Sequence, residues 1–128
     1  MTSKGPVTVT SRTLSADQKA RQALFEGDVI ARSEEMTMYS DRMLVTYGEK
    51  GGIEHMVSDG SVKLIKGGRV ITSGKAEYFR DEDKIIFSIN PKVVEGKTVI
   101  TGTTIVYYPN EERTTVSESR VLIDSGGK

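Results

Sequence analysis

No cysteine occurs in the 128 residues, so disulfides and thiolate metal sites are excluded. The compartment stays open on that count alone. Histidine occurs once, as His55, which rules out a cupin-type site with several imidazole ligands. A Ser-His-Asp triad would have to recruit that one residue as its base. In "IEHMVSDG", beside a predicted turn, it reads instead as a solvated or hydrogen-bonded strand residue. Charge of one sign does not dominate either: 18 basic side chains face 18 acidic ones, interleaved along the chain. Nothing resembles the basic stripe a phosphate backbone needs, so no nucleic acid is expected as a partner. No apolar run approaches membrane-spanning length, and residues 1–15 lack a signal-peptide core. No glycine-rich loop leads from a strand into a helix to cradle a phosphate. The acids fall mostly in turn clusters and read as solvated loops rather than a glycosidase pair. No enzyme and no cofactor is expected.

What the chain does contain is a repeat written in the language of β-strands. Its marker is a Ser or Gly with an apolar residue two before it and apolar residues three and five after it. The copies are Val9-Ser11-Leu14-Ala16, Met38-Ser40-Met43-Val45, Ile71-Ser73-Ala76-Tyr78 and Ile100-Gly102-Ile105-Tyr107, spaced by 29, 33 and 29 residues. Such a period marks an array of supersecondary units, none of which buries its apolar face alone. Side chains on a strand alternate faces, so even and odd offsets share a face only if the marker is a bulge or bend. A second element precedes the later markers, at Gly27-Asp28-Val29, Gly60-Ser61-Val62 and Asn90-Pro91-Lys92-Val93. Each unit reads as strand, turn, strand, corner, strand.

Thirteen glycines against three prolines suit many tight turns. Turns are predicted at Asp17-Gln18-Lys19, Glu34-Glu35, Glu49–Gly52, Lys66-Gly67-Gly68, Asp81–Lys84, Glu95-Gly96-Lys97 and Pro109–Glu112. Asp59-Gly60 and Gly67-Gly68 also read as hairpin signals. Val, Ile, Thr and Tyr dominate the stretches between. Ala16 to Phe25 has a helical spacing of apolar residues, but the repeat makes it a turn and a strand. The expectation is one all-β domain over residues 1–128, with fourteen to sixteen short strands and disordered tails at 1–5 and 125–128.

In the repeat frame one face collects Val9, Phe25, Val29, Ala31, Met36, Met38, Met43, Val45, Val62, Leu64, Ile71, Ala76, Tyr78, Ile85, Phe87, Ile89, Val93, Ile100, Ile105 and Tyr107. The set fits the core of a sandwich. It is also lean in large aromatics, with three Phe and no Trp in the chain, and rich in Met. Flexible methionines suit surfaces that accommodate variable apolar ligands, so a lipid groove stays open beside a dry core.

Four stretches in register resemble the OstA-like, LptA-type lipopolysaccharide-transport family. Pro6 to Asp17 matches its opening Pro-apolar strand, Phe25 to Ala31 its Phe-x-Gly-Asp-Val strand, and Met38 to Val45, with "SDRMLV", the next segment. "GKAEYFRDEDKIIFSINPKV" matches a later Ala-x-Tyr, acidic-turn, Gly-Asn-x-x-Val stretch. The similarity runs over about residues 6–123. Departures are Arg12, where an Asp is usual, and "SINPKV" in place of the Gly-Asn pattern, which touch local turn geometry.

The resemblance implies an open β-jellyroll of two facing antiparallel sheets, built from roughly 30-residue repeats. Its apolar interior is expected to hold the lipid A acyl chains of lipopolysaccharide. The expected lining is Val7, Val9, Phe25, Val29, Met36, Met38, Val45, Leu64, Tyr78, Phe87 and Tyr107. Of these, Val7, Leu64 and Tyr78 align with interior contacts of the family. Implied partners are other lipopolysaccharide-transport components and further copies stacked head to tail, in the periplasm. That requires a signal segment or an amino-terminal anchor encoded upstream of residue 5. The alternatives are the periplasmic domain of the anchored LptC-type component and a structural β-repeat module with a dry core.

Overall fold

Each predicted hydrophilic cluster becomes a chain reversal, and the stretches between them become strands. The computed structural model describes residues 6–124, so the expectations for 1–5 and 125–128 lie outside the described residues. Two short strands, β1 (Thr8–Thr10) and β2 (Thr13–Asp17), lead into four long ones. These are β3 (Gln22–Arg32), β4 (Thr37–Tyr47), β5 (Ile53–Lys66) and β6 (Arg69–Phe79). Short strands follow: β7 (Lys84–Ser88), β8 (Lys92–Glu95), β9 (Thr98–Thr101), β10 (Thr104–Tyr108), β11 (Arg113–Ser117) and β12 (Arg120–Ile123). A single 3-10 turn, Pro109–Glu111, joins β10 to β11.

The strands form one antiparallel sheet of twelve, which bends along a line of corners so that its two parts face each other. The first layer runs β1, the later part of β3, the earlier part of β4, the later part of β5, the earlier part of β6, then β8, β9 and β12. In the second layer the order is β2, the other parts of β3 to β6, then β7, β10 and β11. The two facing sheets inferred from the resemblance are thus two layers of one sheet. Because each long strand crosses the corner, twelve strands do the work of the fourteen to sixteen expected.

Residue chemistry makes the corner in two ways. The pairing register shifts between Glu26 and Val29, Tyr39 and Arg42, and Asp59 and Val62. At Gly27-Asp28, Gly60-Ser61 and Ile89-Asn90 both residues have positive φ. Glycine makes the first step of such a pair at little cost. On the neighbouring strands a serine does the work. Ser11, Ser40 and Ser73 each donate Oγ–H to the carbonyl two residues on, at Thr13, Arg42 and Lys75, over 2.8, 3.2 and 2.9 Å. These bonds satisfy backbone acceptors that the bulge takes out of the ladder. The repeat marker is therefore a corner brace.

Two expectations need correction. Asp59-Gly60 is no hairpin, because β5 runs straight through it; only the corner needs its glycine, at φ 83°. Ile89, assigned to the inner face, points outward and is 59% exposed. It stands where the first two corners have glycine, and at φ 64° it turns away from the core to rest against Gly74. "SINPKV" thus keeps the left-handed corner even without the glycine.

A candidate functional site in the apolar interior

Strand alternation puts one row of side chains per register position onto the inner face of each layer. In the first layer the row reads Val9, Ala31, Met38, Leu64, Ile71, Val93, Ile100 and Val121, each paired with the next. Facing it, the second layer carries Leu14, Phe25, Met43, Ser58, Ala76, Phe87, Ile105 and Val116. A further row reads Ala16, Ala23, Val45, Met56, Tyr78, Ile85, Tyr107 and Thr114. Ser58 Oγ reaches Met38 Sδ across the interior at 3.4 Å, which ties the two faces together.

All eleven residues expected to line the interior face it. Val9, Met38 and Leu64 share the first row, Phe25 and Phe87 the second, and Val45, Tyr78 and Tyr107 the third. Val29 lies beside the corner, Met36 is buried, and Val7 packs against the core from its margin. Lys63 and Glu77, the chain neighbours of Leu64 and Tyr78, sit on the outer faces. The shorter expectation left out Met43, Met56, Ala23, Leu14, Ala16 and Tyr47. The parity of the repeat pointed to the first copy's Leu14 and Ala16.

The interior differs along its length. In its middle and beyond it is filled: Met43, Ile85, Phe87, Ile105 and Tyr107 have no exposure. Its C-terminal part is strapped on the side away from the corner. Lys66, from the tip of the first layer, pairs with Glu112 at the tip of the second and lies 3.7 Å from Glu35. Arg69 pairs with Glu95 at 3.2 Å and reaches Thr114 at 3.5 Å. The Lys66 ammonium and Arg69 guanidinium lie 5.8 and 5.7 Å from the Tyr107 ring centre. The Tyr107 hydroxyl beneath them is buried without a well-formed hydrogen bond. Partial burial works to lower the pKa of Lys66, but the bond to Glu112 and the nearby Tyr107 outweigh it and hold the value above the ordinary lysine range. That same bond holds the Glu112 carboxyl below its usual range. Burial, with Asp83 close by, pushes the Tyr78 phenol up.

At the N-terminal end no strap is formed among the described residues. Leu14 is 58% exposed although its register places it on the inner face, because no described strand lies beyond β2. With Ala16, Ala23, Phe25 and Tyr47 it lines an open apolar cleft of about 310 Å³, edged by Asp17, Gln18, Arg21 and Gln22. His55, on the outer face, hydrogen-bonds Glu77 at 2.7 Å and packs at a tilt on Phe79, 5.0 Å between ring centres. Among the described residues no three His, Asp or Glu side chains converge where a metal could sit. None of their helices is long and apolar enough to cross a membrane.

A bent antiparallel sheet with an apolar interior and open edges at its end strands defines the class: an open β-jellyroll. The family profile described as LptA/(LptD N-terminal domain) LPS transport protein matches residues 8–113. This chain belongs to that family. No curated protein matches it by sequence. Among solved structures it is similar to LptH from Pseudomonas aeruginosa, described as the LptA homologous periplasmic component of the conserved lipopolysaccharide transport device. The two share 15% identity with a TM-score of 0.85, over 94% of this chain and 96% of that one. At that identity the likeness is one of fold.

Proposed function

We propose that this chain carries lipopolysaccharide by its acyl chains through the apolar interior, as one unit of a head-to-tail periplasmic bridge, without covalent chemistry. The observation that carries this reading is the continuity of the inner rows. The three rows run from β1 and the open cleft at β2 to the edge strands β11 and β12 without a charged side chain among them; Lys66 and Arg69 stand one row further out, at the tip of the layer. Each methylene moved out of water is worth about 0.8 kcal/mol, so a few acyl chains supply a large driving force. The interior is filled in this state, so entry requires repacking. Met36, Met38, Met43 and Met56 are all buried, and unbranched thioethers repack at low cost.

The ends fit stacking. Among the described residues β1 and β2 each pair only with β3, β11 only with β10, and β12 only with β9. A second copy set edge to edge would continue both inner rows, Val121 toward Val9 and Val116 toward Leu14. It would also cover Leu14 and Val121, which now face water. Open edges present unpaired N–H and C=O groups that such a copy satisfies.

Photo-crosslinking tests the reading. A photoreactive residue at Leu64 or Tyr78 captures lipopolysaccharide, and one at Lys63 or Glu77 does not. Equal capture at inner and outer positions, or none at either, overturns carriage through the interior. Stacking is read separately by light scattering. Apparent mass rises with concentration, and removing residues 114–128 abolishes the rise; a strict monomer at high concentration rejects the bridge.

A further inference from the structure

The charges interleaved along the chain are sorted in space. On the outer face of the first layer, one row across adjacent strands reads Lys63, Thr72, Lys92, Thr101 and Arg120. The next row on the same face reads Ile65, Val70, Val94, Val99 and Leu122. Arg32 adds a further cation to this face, and its strands place no acid there. The nearest acids, Glu34, Glu35, Glu95 and Glu118 among them, stand in turns, at strand ends and at corners around its margin. The second layer's outer face is neutral: Asp17, Glu26, Asp59 and Glu77 balance Arg42, Lys75, Lys84 and Arg113. The cations differ in company as well. On the second layer's face Arg42, Lys84 and Arg113 are ion-paired, to Glu26, Glu82 and Glu111, and Lys75 alone has no ion-pair partner among the described residues. Arg32, Lys63, Lys92 and Arg120 have no ion-pair partner among the described residues.

From this juxtaposition of an unpaired cationic row with an aliphatic row, we propose that the first layer's outer face docks on the surface of an anionic phospholipid bilayer. This inference does not rest on lipid carriage through the interior. Lys63, Lys92 and Arg120 stand on every second strand, about 10 Å apart, so each can meet a different headgroup phosphate. Two open depressions beside them supply further donors. One, of about 440 Å³, is lined by Lys63, Thr72, Asn90 and the exposed Ile89; the other, of about 360 Å³, by Thr72, Asn90, Lys92 and Thr101. The aliphatic row gains by leaving water at the headgroup boundary, with Leu122, 66% exposed, contributing most. A second copy laid face to face would oppose cation to cation, so the face does not suit self-pairing. A nucleic acid backbone would meet the cations but leave the aliphatic row unused.

Co-sedimentation with vesicles tests this on the full chain. The protein sediments with vesicles of phosphatidylcholine containing phosphatidylglycerol, sediments poorly with phosphatidylcholine alone, and is released by salt. Reversing three cations (Lys63→Glu, Lys92→Glu and Arg120→Glu together) lowers the partition coefficient by at least about tenfold. The matched reversal on the other face, Lys75→Glu, Lys84→Glu and Arg113→Glu, leaves it within about twofold. Leu122→Ser with Val99→Ser weakens the binding that remains at higher salt. Unfolding midpoints and capture at Leu64 are measured for every variant, so that misfolding and loss of interior binding are read apart from loss of docking. Sedimentation that is absent, or equal for the two reversals, overturns the proposal; absence with a folded protein leaves an acidic protein surface as the occupant.

Discussion

The two ends of the interior share one architecture and differ in what stands at the layer tips. At the N-terminal end Leu14, Ala16 and Tyr47 leave an apolar cleft with no described side chain drawn across it. Toward the C-terminal end Lys66, Arg69 and Glu112 reach between the layers over Tyr107. The register makes Lys66 and Arg69 inner-face residues, two steps from Leu64 and Ile71. They can stand there because at the tip their charged heads reach both water and an acid on the opposite layer. Opening and closure are therefore decided by a few side chains at equivalent places in a repeated frame, and not by a change of fold.

Truncation separates the two ends most sharply. Phe87→Ala, in the filled part, lowers unfolding free energy by about 3–5 kcal/mol, because a packed site collapses only partly around the gap. Leu14→Ala, at the mouth, changes it by less than about 0.5 kcal/mol. Chemical denaturation measures both, and comparable losses would show that the mouth is already closed in solution.

A charge at the mouth is the next test. Leu14→Asp leaves the unfolding midpoint nearly unchanged but weakens lipopolysaccharide retention about tenfold, since an apolar chain must then pass a carboxylate. Unchanged retention would place entry elsewhere.

The strap gives the smallest effect. A double-mutant cycle over Lys66→Ala and Glu112→Ala yields a coupling of about 0.2–1 kcal/mol near neutral pH, as expected of a pair whose acid stands largely in water even though its lysine is mostly covered. Its pH dependence follows from the two shifts. Glu112 is depressed from 4.5, so its contribution is complete above that value and is lost as pH falls through the depressed folded pKa. Lys66 is raised from 10.5, so its contribution is complete below that value and is lost as pH rises through the raised one. Coupling that persists in acid would mean that the strap is held by packing rather than charge.

Much of this was legible in the sequence, because period and turn chemistry are local. Ser11, Ser40 and Ser73 announced the corners through the parity change around them, and the same parity pointed to every interior residue expected from the repeat but Ile89. Ile89 failed because its parity was counted across a corner whose left-handed φ values turn the side chain outward. Asp59-Gly60 was misread since the same dipeptide serves a hairpin and a mid-strand corner, and only pairing distinguishes them. The cationic row was invisible for a different reason. Lys63, Lys92 and Arg120 lie far apart in the chain, on strands whose adjacency depends on the full topology, and each has unlike charges near it in sequence. The strap, likewise, joins residues 66 and 112 through an order of strands that no local pattern encodes.

The corner line has a mechanical consequence. Since β3 to β6 pass unbroken from one layer to the other, the layers cannot slide without tearing the ladders they share. The motion that remains is rotation about a spine, as a book opens, with hydrogen bonds intact on both pages. Separation is then smallest beside Val29 and Val62, which line the spine, and grows toward the tips. Under the proposed carriage, a bulkier cargo would be accommodated by a wider opening rather than by a longer path, its girth converted into an angle.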